Sequence, residues 1–362
     1  MNFALVVSNL AGGGAERAML NIAALLAARG HGVDLILLEQ VIEHSVPEGI
    51  SLHVVTPAGG KLGHGWLGRR IAAWRLARLW KKLDARRPVD LTVSTLPYCD
   101  AVVRHARVPR VRYRIANTLS AEIDQLARRG PAKAKRRLAR YRAIYDGQPL
   151  IAVSEGVAAD LRERLGLSAD IAAIYNPFDF ERIRQLAGVP ERDLPKRPYV
   201  IHVGRFAPQK RHDLLLDAWK LAGLDMDLLF LTEPADDLVR LIEAKGLTGQ
   251  VTLAGFRPNP YPWIAAAELL VLCSDHEGLP NVLVEALACG TRVVSTDCPS
   301  GPREVLRGEL ARWLVPMNDA AALAARMCEA LRQARPRLSG ELDAFAASKV
   351  AERYEALAAE AH

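Results

Sequence analysis

The sequence predicts an α/β protein of two Rossmann-like domains, each a doubly wound parallel sheet. Three observations carry this. Short apolar runs recur along the chain and alternate with amphipathic segments of helical period. The runs are continuous rather than alternating, as in strands buried on both faces of a parallel sheet. The pattern also restarts after a charged, proline-rich segment near the middle, and 362 residues suit two domains of ordinary size.

Residues 3–8 are the first apolar run, followed by a glycine turn, Gly12-Gly13-Gly14. A helix follows with Leu20, Ala23, Ala24 and Ala27 on one face and stops near Gly30. Residues 33–38, 52–55, 91–94, 111–116 and 150–153 read as further buried strands. Residues 188–198 (GVPERDLPKRP) hold three prolines, a glycine and five charges, and read as the linker. Beyond it come strands at 199–203, 228–231, 251–253, 269–272, 292–295 and 313–315. The expected division is a first Rossmann-like domain over 1–188, a linker over 189–198 and a second Rossmann-like domain over 199–339. The terminal segment 340–362 is expected to pack back on the first domain through one helix over 341–361. Two such domains facing each other leave a central cleft at the carboxyl ends of their strands, where ligands of this architecture bind.

Half the residues are hydrophobic and a quarter charged, the mix of a globular protein. Cys99, Cys273, Cys289, Cys298 and Cys328 form no C-x-x-C pair, which points to free thiols in a reducing compartment. Residues 1–10 lack a basic leader and a cleavage site, and no apolar run approaches the roughly 18 residues needed to span a bilayer. A cytoplasmic location is the expectation. The net charge of +7 is uneven: residues 1–188 hold 28 Lys+Arg against 17 Asp+Glu, whereas 189–362 hold 20 against 24. An anionic partner is expected on the first half.

Gly204-Arg205-Phe206-Ala207-Pro208-Gln209-Lys210 follows a strand directly and opens a helix. Backbone N–H groups and the helix dipole favour an anion there, and a forked guanidinium beside a point-charge ammonium suits a diphosphate. Alone, the two cations read equally as solvated loop residues. His276-Glu277-Gly278-Leu279-Pro280-Asn281-Val282-Leu283-Val284-Glu285-Ala286 also follows a strand. Gly278 permits an unusual backbone angle or close ligand approach, and Pro280 suits a helix first turn. Glu285 then falls on the second turn, and Glu277 on the loop lip. Carboxylates accept hydrogen bonds from vicinal hydroxyls but repel phosphate, so sugar and ribose hydroxyls are their natural targets. The bland alternative is a dipole-favouring Glu plus a surface Glu.

Together these motifs resemble family 4 retaining glycosyltransferases of the GT-B fold. The resemblance includes the Gly-Arg…Lys turn, the E-x7-E pair Glu277 and Glu285, and Gly13-Gly14-Ala15-Glu16-Arg17. Val153-Ser154-Glu155-Gly156-Val157, Tyr175-Asn176-Pro177 and Glu285-Ala286-Leu287-Ala288-Cys289-Gly290 complete it, over residues 2–335. It implies that Arg205 and Lys210, beside Gly204, bind the donor diphosphate. It implies Glu285 on the ribose, Glu277 on the transferred sugar, and main chain around Gly278, Leu279 and Asn281 on sugar or phosphate. Gly13 and Gly14 would let the first domain's loop approach phosphate and acceptor, and Phe256 beside Gly255 would line the base site. Retention, with the departing phosphate oxygen taking the acceptor proton, is implied by the family alone. Many relatives carry a His after the fifth strand; here Ala116-Asn117-Thr118 stands there, so Asn117 or Thr118 would stand in, able to hydrogen-bond but not to transfer a proton. Thr232-Glu233-Pro234 replaces the usual Gly-acid-Gly turn. Glu-Gly-Leu-Pro-Asn, rather than Glu-Pro-Phe-Gly, favours a UDP-linked hexose or N-acetylhexosamine over GDP-mannose.

Asp225-Met226-Asp227 imitates a metal motif but lies at the start of a strand, away from the ligand edge, so no metal and no cofactor are expected. His276 reads as a loop residue at the cleft edge. Residues 61–87 carry nine Lys+Arg and one acid, and 128–142 carry eight and none. As a helix, the first stretch puts Ala72, Leu76, Leu79, Trp80 and Leu83 on a core face and Leu67, Ile71 and Trp74 opposite, among Arg70, Arg78 and Lys81. A cation-ringed Trp patch suits an anionic membrane, each cation contributing on the order of 1 kcal/mol; the alternative is a solvated helix with Trp74 packed on a neighbour. Nucleic acid fits poorly. The expected activity is transfer of a hexose or N-acetylhexosamine from a nucleotide diphosphate to a glycan or lipid-linked acceptor in cell-surface polysaccharide or glycolipid synthesis. A nucleotide-sugar epimerase and a non-catalytic sugar-nucleotide-binding subunit are the competing readings. The incomplete glycine fingerprint at Gly12–Gly14 disfavours a dehydrogenase.

Overall fold

The computed structural model describes residues 1–360 apart from Gly12, His44 and 58–64. Gly12 of the glycine turn, residues 61–64 of the basic stretch and Ala361 of the expected last helix lie outside the described residues. Seven parallel strands make the first sheet: β1 (Asn2–Val7), β2 (Gly32–Glu39), β3 (Ile50–Thr56), β4 (Leu91–Thr95), β5 (Val111–Ile115), β6 (Leu150–Ala152) and β7 (Ile171–Ala173). Their spatial order is β3-β2-β1-β4-β5-β6-β7. Six parallel strands make the second: β8 (Tyr199–Val203), β9 (Asp227–Leu231), β10 (Val251–Leu253), β11 (Leu269–Leu272), β12 (Arg292–Thr296) and β13 (Leu314–Val315). Their order is β10-β9-β8-β11-β12-β13. Both sheets are doubly wound, reversing direction between β1 and β4 and between β8 and β11.

The central strands are buried along their length because helices cover both faces, which explains their unbroken apolar runs. Caps fix several helix starts. Ser154 accepts from Val157 N (3.1 Å), Asp179 from Arg182 N (2.9 Å) and Asp319 from Ala322 N (2.8 Å). Ser154 of the family-like segment thus has a structural role. So does Asn176, whose side-chain oxygen accepts from buried Arg114.

The chain divides into two compact units, Met1–Pro177 with Ala347–His362, and Phe178–Ala346. The sequence boundaries at 188–198 and 339–340 need correction. The helix Phe180–Ala187 belongs to the second unit: Ile183 is buried, and Leu186 O accepts from Asn259 Nδ2 at 3.0 Å. The proline-rich segment therefore lies inside that unit and does not divide the chain. β7 was missed because it is three residues long and buries only Ile171 fully. The last helix runs Ala347–Glu360 rather than from 341, since Asp343–Phe345 forms a separate 3-10 turn.

That last helix closes the first unit's core. Val350, Tyr354, Leu357 and Ala358 pack in one cluster with Phe3, Leu5 and Leu26. Tyr354 is fully buried. Tyr354→Ala is expected to lower the first unit's unfolding free energy by about 3 kcal/mol through lost burial and a cavity, measurable by urea denaturation.

Candidate functional site

The site grows from the carboxyl ends of β8 and β11, neighbours at the point where the second sheet reverses direction. Loops leaving adjacent strands there diverge and open a crevice. After β8 the chain passes Gly204 and Arg205, makes a 3-10 turn at Pro208–Lys210, and starts the helix His212–Ala222. Lys210 thus lies in the strand-to-helix turn, as the sequence suggests, and Arg211 separates that turn from the helix in the left-handed region at φ 50°. A non-glycine residue there costs roughly 1–2 kcal/mol. Ion pairs to Asp213 (3.0 Å) and Asp275 (2.9 Å), with a hydrogen bond to Asn318, hold Arg211 in place.

After β11 the chain runs through Ser274, Asp275, His276 and Glu277 to the helix Asn281–Ala288. Main-chain and side-chain bonds tie this loop to the first: Asp275 N donates to Gln209 O (2.9 Å) and Gln209 Nε2 to His276 O (2.5 Å). At the centre, Lys210 Nζ donates to Glu277 Oε1 at 2.7 Å. Ser274 Oγ donates to the same oxygen at 2.6 Å. The side chains of Lys210 and Glu277 are 21% and 10% exposed, so the pair is shielded yet reachable.

Lys210 lies over the strand end, where a Cβ added at Gly204 would make ordinary contact with its Cε at 3.5 Å. Gly278 does not adopt a positive φ; the left-handed residues of this region are Ser300 and Gly301, at 65° and 95°. A side chain at Gly301 would collide with Pro280 and lie 3.1 Å from Gly278 O. Gly301 thus lets the facing loop close on the 278–280 turn. Pro280 stands at the helix cap, one residue before the first turn. Leu279 is buried, which leaves only its main chain for a ligand.

Glu285 sits four residues beyond the helix start, about 6 Å along the axis. Its Oε1 accepts from Tyr261 OH at 3.5 Å. Arg205 is exposed. Phe256, also exposed, follows Gly255 (φ 74°) beyond β10, two strands away from β8 on the same edge. Gly13 caps the helix Gly14–Ala28 after β1, and the space at Gly14 is open. Asn117 follows β5 on that unit's carboxyl edge, with its Oδ1 accepting from Thr118 N at 2.9 Å. Asp225 and Asp227 lie at the opposite edge of the second sheet and both pair with Arg197, at 2.7 and 3.5 Å.

Sequence reading missed Ser274, Gly301, Tyr261 and a buried imidazole pair beneath Lys210. His202 and His212 pack edge to face, 4.7 Å between centroids, among Phe206 and Phe230. Burial, then His212 and Lys210, push His202 down to about 3; burial and Lys210 push His212 down to about 4. Both stay neutral at pH 7, so the ammonium above them is the local positive charge. At the first sheet's reversal, Leu96 also holds a positive φ of 76° after β4, a strain sequence did not signal.

Residues 12–182 match the family model Glycosyltransferase Family 4, and residues 197–333 match Glycosyl transferases group 1. The chain belongs to glycosyltransferase family 4. Among relatives of this transferase, the N-acetylgalactosamine-N,N'-diacetylbacillosaminyl-diphospho-undecaprenol 4-alpha-N-acetylgalactosaminyltransferase of Campylobacter jejuni is 29% identical over 321 residues, 87% of this chain and 86% of that one. The lipopolysaccharide 1,6-galactosyltransferase of Salmonella typhimurium is 30% identical over 166 residues, 43% of this chain and 45% of that one. HepE of Anabaena, solved with UDP and glucose, superposes with a TM-score of 0.74 at 19% identity, over 99% of this chain and 100% of that one. The shared fold is GT-B, two parallel-sheet α/β domains.

Both imidazoles titrate below their ordinary 6.5 in the folded chain, so the unfolded chain binds more protons as pH falls. Stability of the second unit should therefore drop from pH 6.5 towards 4, by up to about 1.4 kcal/mol per pH unit for each histidine. His212→Phe is expected to flatten that slope in urea unfolding at pH 7 and pH 5.

Proposed function

We propose that this glycosyltransferase transfers a hexose or N-acetylhexosamine with retention from a nucleotide diphosphate, UDP favoured over GDP, to a glycan or lipid-linked acceptor. The reaction would serve cell-surface polysaccharide or glycolipid synthesis. The observation that carries the donor reading is the Lys210–Glu277 contact at the β8–β11 switch point. The names of the Campylobacter and Salmonella relatives support an N-acetylhexosamine or hexose and an acceptor of the lipid-linked or lipopolysaccharide kind. The UDP in HepE and the Glu277-Gly278-Leu279-Pro280-Asn281 wording support UDP.

Each residue then has a chemical task. Lys210 turns from Glu277 to the diphosphate, and Arg205 adds a forked cation, so negative charge growing on the leaving group is stabilised. Ser274 keeps its bond to Glu277 as the ammonium leaves. The freed carboxylate accepts from a sugar hydroxyl, and main chain at Gly278, Leu279 and Asn281 follows the sugar and phosphate. Glu285 accepts from the ribose hydroxyls, and Phe256 offers a face to the base. On the first unit, Gly13, Gly14 and Asn117 serve the acceptor side. Retention needs the acceptor hydroxyl to attack from the face that the phosphate leaves, its proton passing to a phosphate oxygen.

Thermal shift with UDP and GDP, followed by transfer assays, tests the reading, because a ligand of the native state raises its apparent stability. UDP should stabilise the chain more than GDP; the reverse ranking refutes the donor preference. Lys210→Ala and Glu285→Ala should each cost about 1.5–3 kcal/mol of donor binding. Glu277→Ala and Ser274→Ala should chiefly lower kcat. Unchanged kinetics in the Lys210 and Glu285 variants would remove the site.

A further inference from the structure

The donor site leaves one sequence feature unused, the second face of the basic stretch 61–87. In the structure the helix Trp66–Arg86 buries Ala72, Ala73, Leu76, Trp80 and Leu83. Its other face is open: Trp66 is 61% exposed, Leu67 67%, Ile71 50% and Trp74 59%. Trp74 keeps more than half of its surface exposed, and Trp66, just before Leu67, extends the patch. A spacing of four sets Trp66, Arg70, Trp74 and Arg78 in one row, with Leu67 and Ile71 beside it. Arg70 Cζ lies 5.0 Å from the Trp66 ring centroid, and Arg78 Cζ 4.8 Å from that of Trp74. Arg75, Lys81 and Lys82 are exposed nearby, while the helix's acid, Asp84, pairs with Arg110 at 2.5 Å.

We propose that this face docks on an anionic lipid surface, with the indoles and Ile71 at headgroup depth and the arginines on lipid phosphates. Adjoining exposed tryptophans form the kind of patch that marks an interaction site. Indole sits well at a membrane interface, and an arginine stacked on it keeps its charged head free for phosphate. Charge selects the occupant. A second copy would set the same cations against each other. A nucleic acid would meet the cations but leave Leu67 and Ile71 against water. Among the described residues no helix is long and apolar enough to cross a membrane, so the contact lies along the surface. The helix Pro131–Tyr145 differs: its exposed Lys133, Lys135, Arg136 and Arg140 have no large exposed apolar residue among them. It adds attraction without insertion.

This inference stands apart from the donor reading and is tested without donor or acceptor. The full chain is floated with vesicles of phosphatidylcholine and phosphatidylglycerol at low salt, beside vesicles of phosphatidylcholine alone. The chain should rise with the anionic vesicles only. Ile71→Glu with Trp74→Glu should cut the bound fraction about tenfold, while Lys133→Glu with Arg136→Glu leaves most of it bound. All four side chains are exposed, so an unchanged melting temperature shows that each variant is folded. Wild type remaining in the soluble fraction overturns the proposal, as does the first variant floating like wild type. Light scattering that finds a dimer split by Ile71→Glu also overturns it, and assigns the face to a second copy.

Discussion

A parallel sheet delivers all its outgoing loops to one edge, and the contact between Lys210 and Glu277 depends on that constraint. The two residues are 67 positions apart, yet β8 and β11 pair directly, so their following loops start as neighbours. The rest of the site serves to hold this contact. Arg211 occupies an unfavourable backbone region, and its bonds to Asp213, Asp275 and Asn318 offset the cost while fixing the residue before it. Gly301 lets the facing loop close over the 278–280 turn without a clash.

Electrostatics follow from the same layering. Beneath the ammonium lie two imidazoles that burial keeps neutral, and beside it lies a carboxylate that balances it. The arrangement holds Lys210 shielded and paired, at little net charge. An anion entering there replaces one partner of Lys210 by another, which avoids leaving a buried charge unpaired. Ser274 matters for the same reason: a carboxylate that loses its ammonium keeps a donor.

The two halves of the chain differ in what their surfaces can meet. The first half carries the positive excess, displayed on two helices, and one of these also exposes a row of tryptophans. The second half is mildly acidic overall and concentrates its useful cations, Arg205 and Lys210, at one strand edge. This division of charge gives the two halves different kinds of surface.

The order of the strands' sequence runs, the parallel α/β class and the spacing of Glu277 and Glu285 were legible in the amino acids, because burial on two faces and helical rise leave local periodic traces. β8, β10 and β11 start and end where the apolar runs do. The domain limits were not legible: a proline-rich segment looks like a linker, but Ile183 and Leu186 commit the preceding helix to the second unit by contacts over 70 residues distant. Nor were Ser274, Gly301, Tyr261 and the His202–His212 pair, whose contacts depend on how the folded chain places them. The open Trp66–Trp74 face was half legible, since periodicity shows that a helix has a second apolar side but not whether anything covers it. Sequence alone determined most of the strands and helices, because local hydrogen bonding and burial period make those choices; β7, with one fully buried residue, left too weak a trace. Tertiary structure alone decided which loops touch, which charges pair and which apolar side chains stay in water, because these depend on distances between segments that no local pattern records.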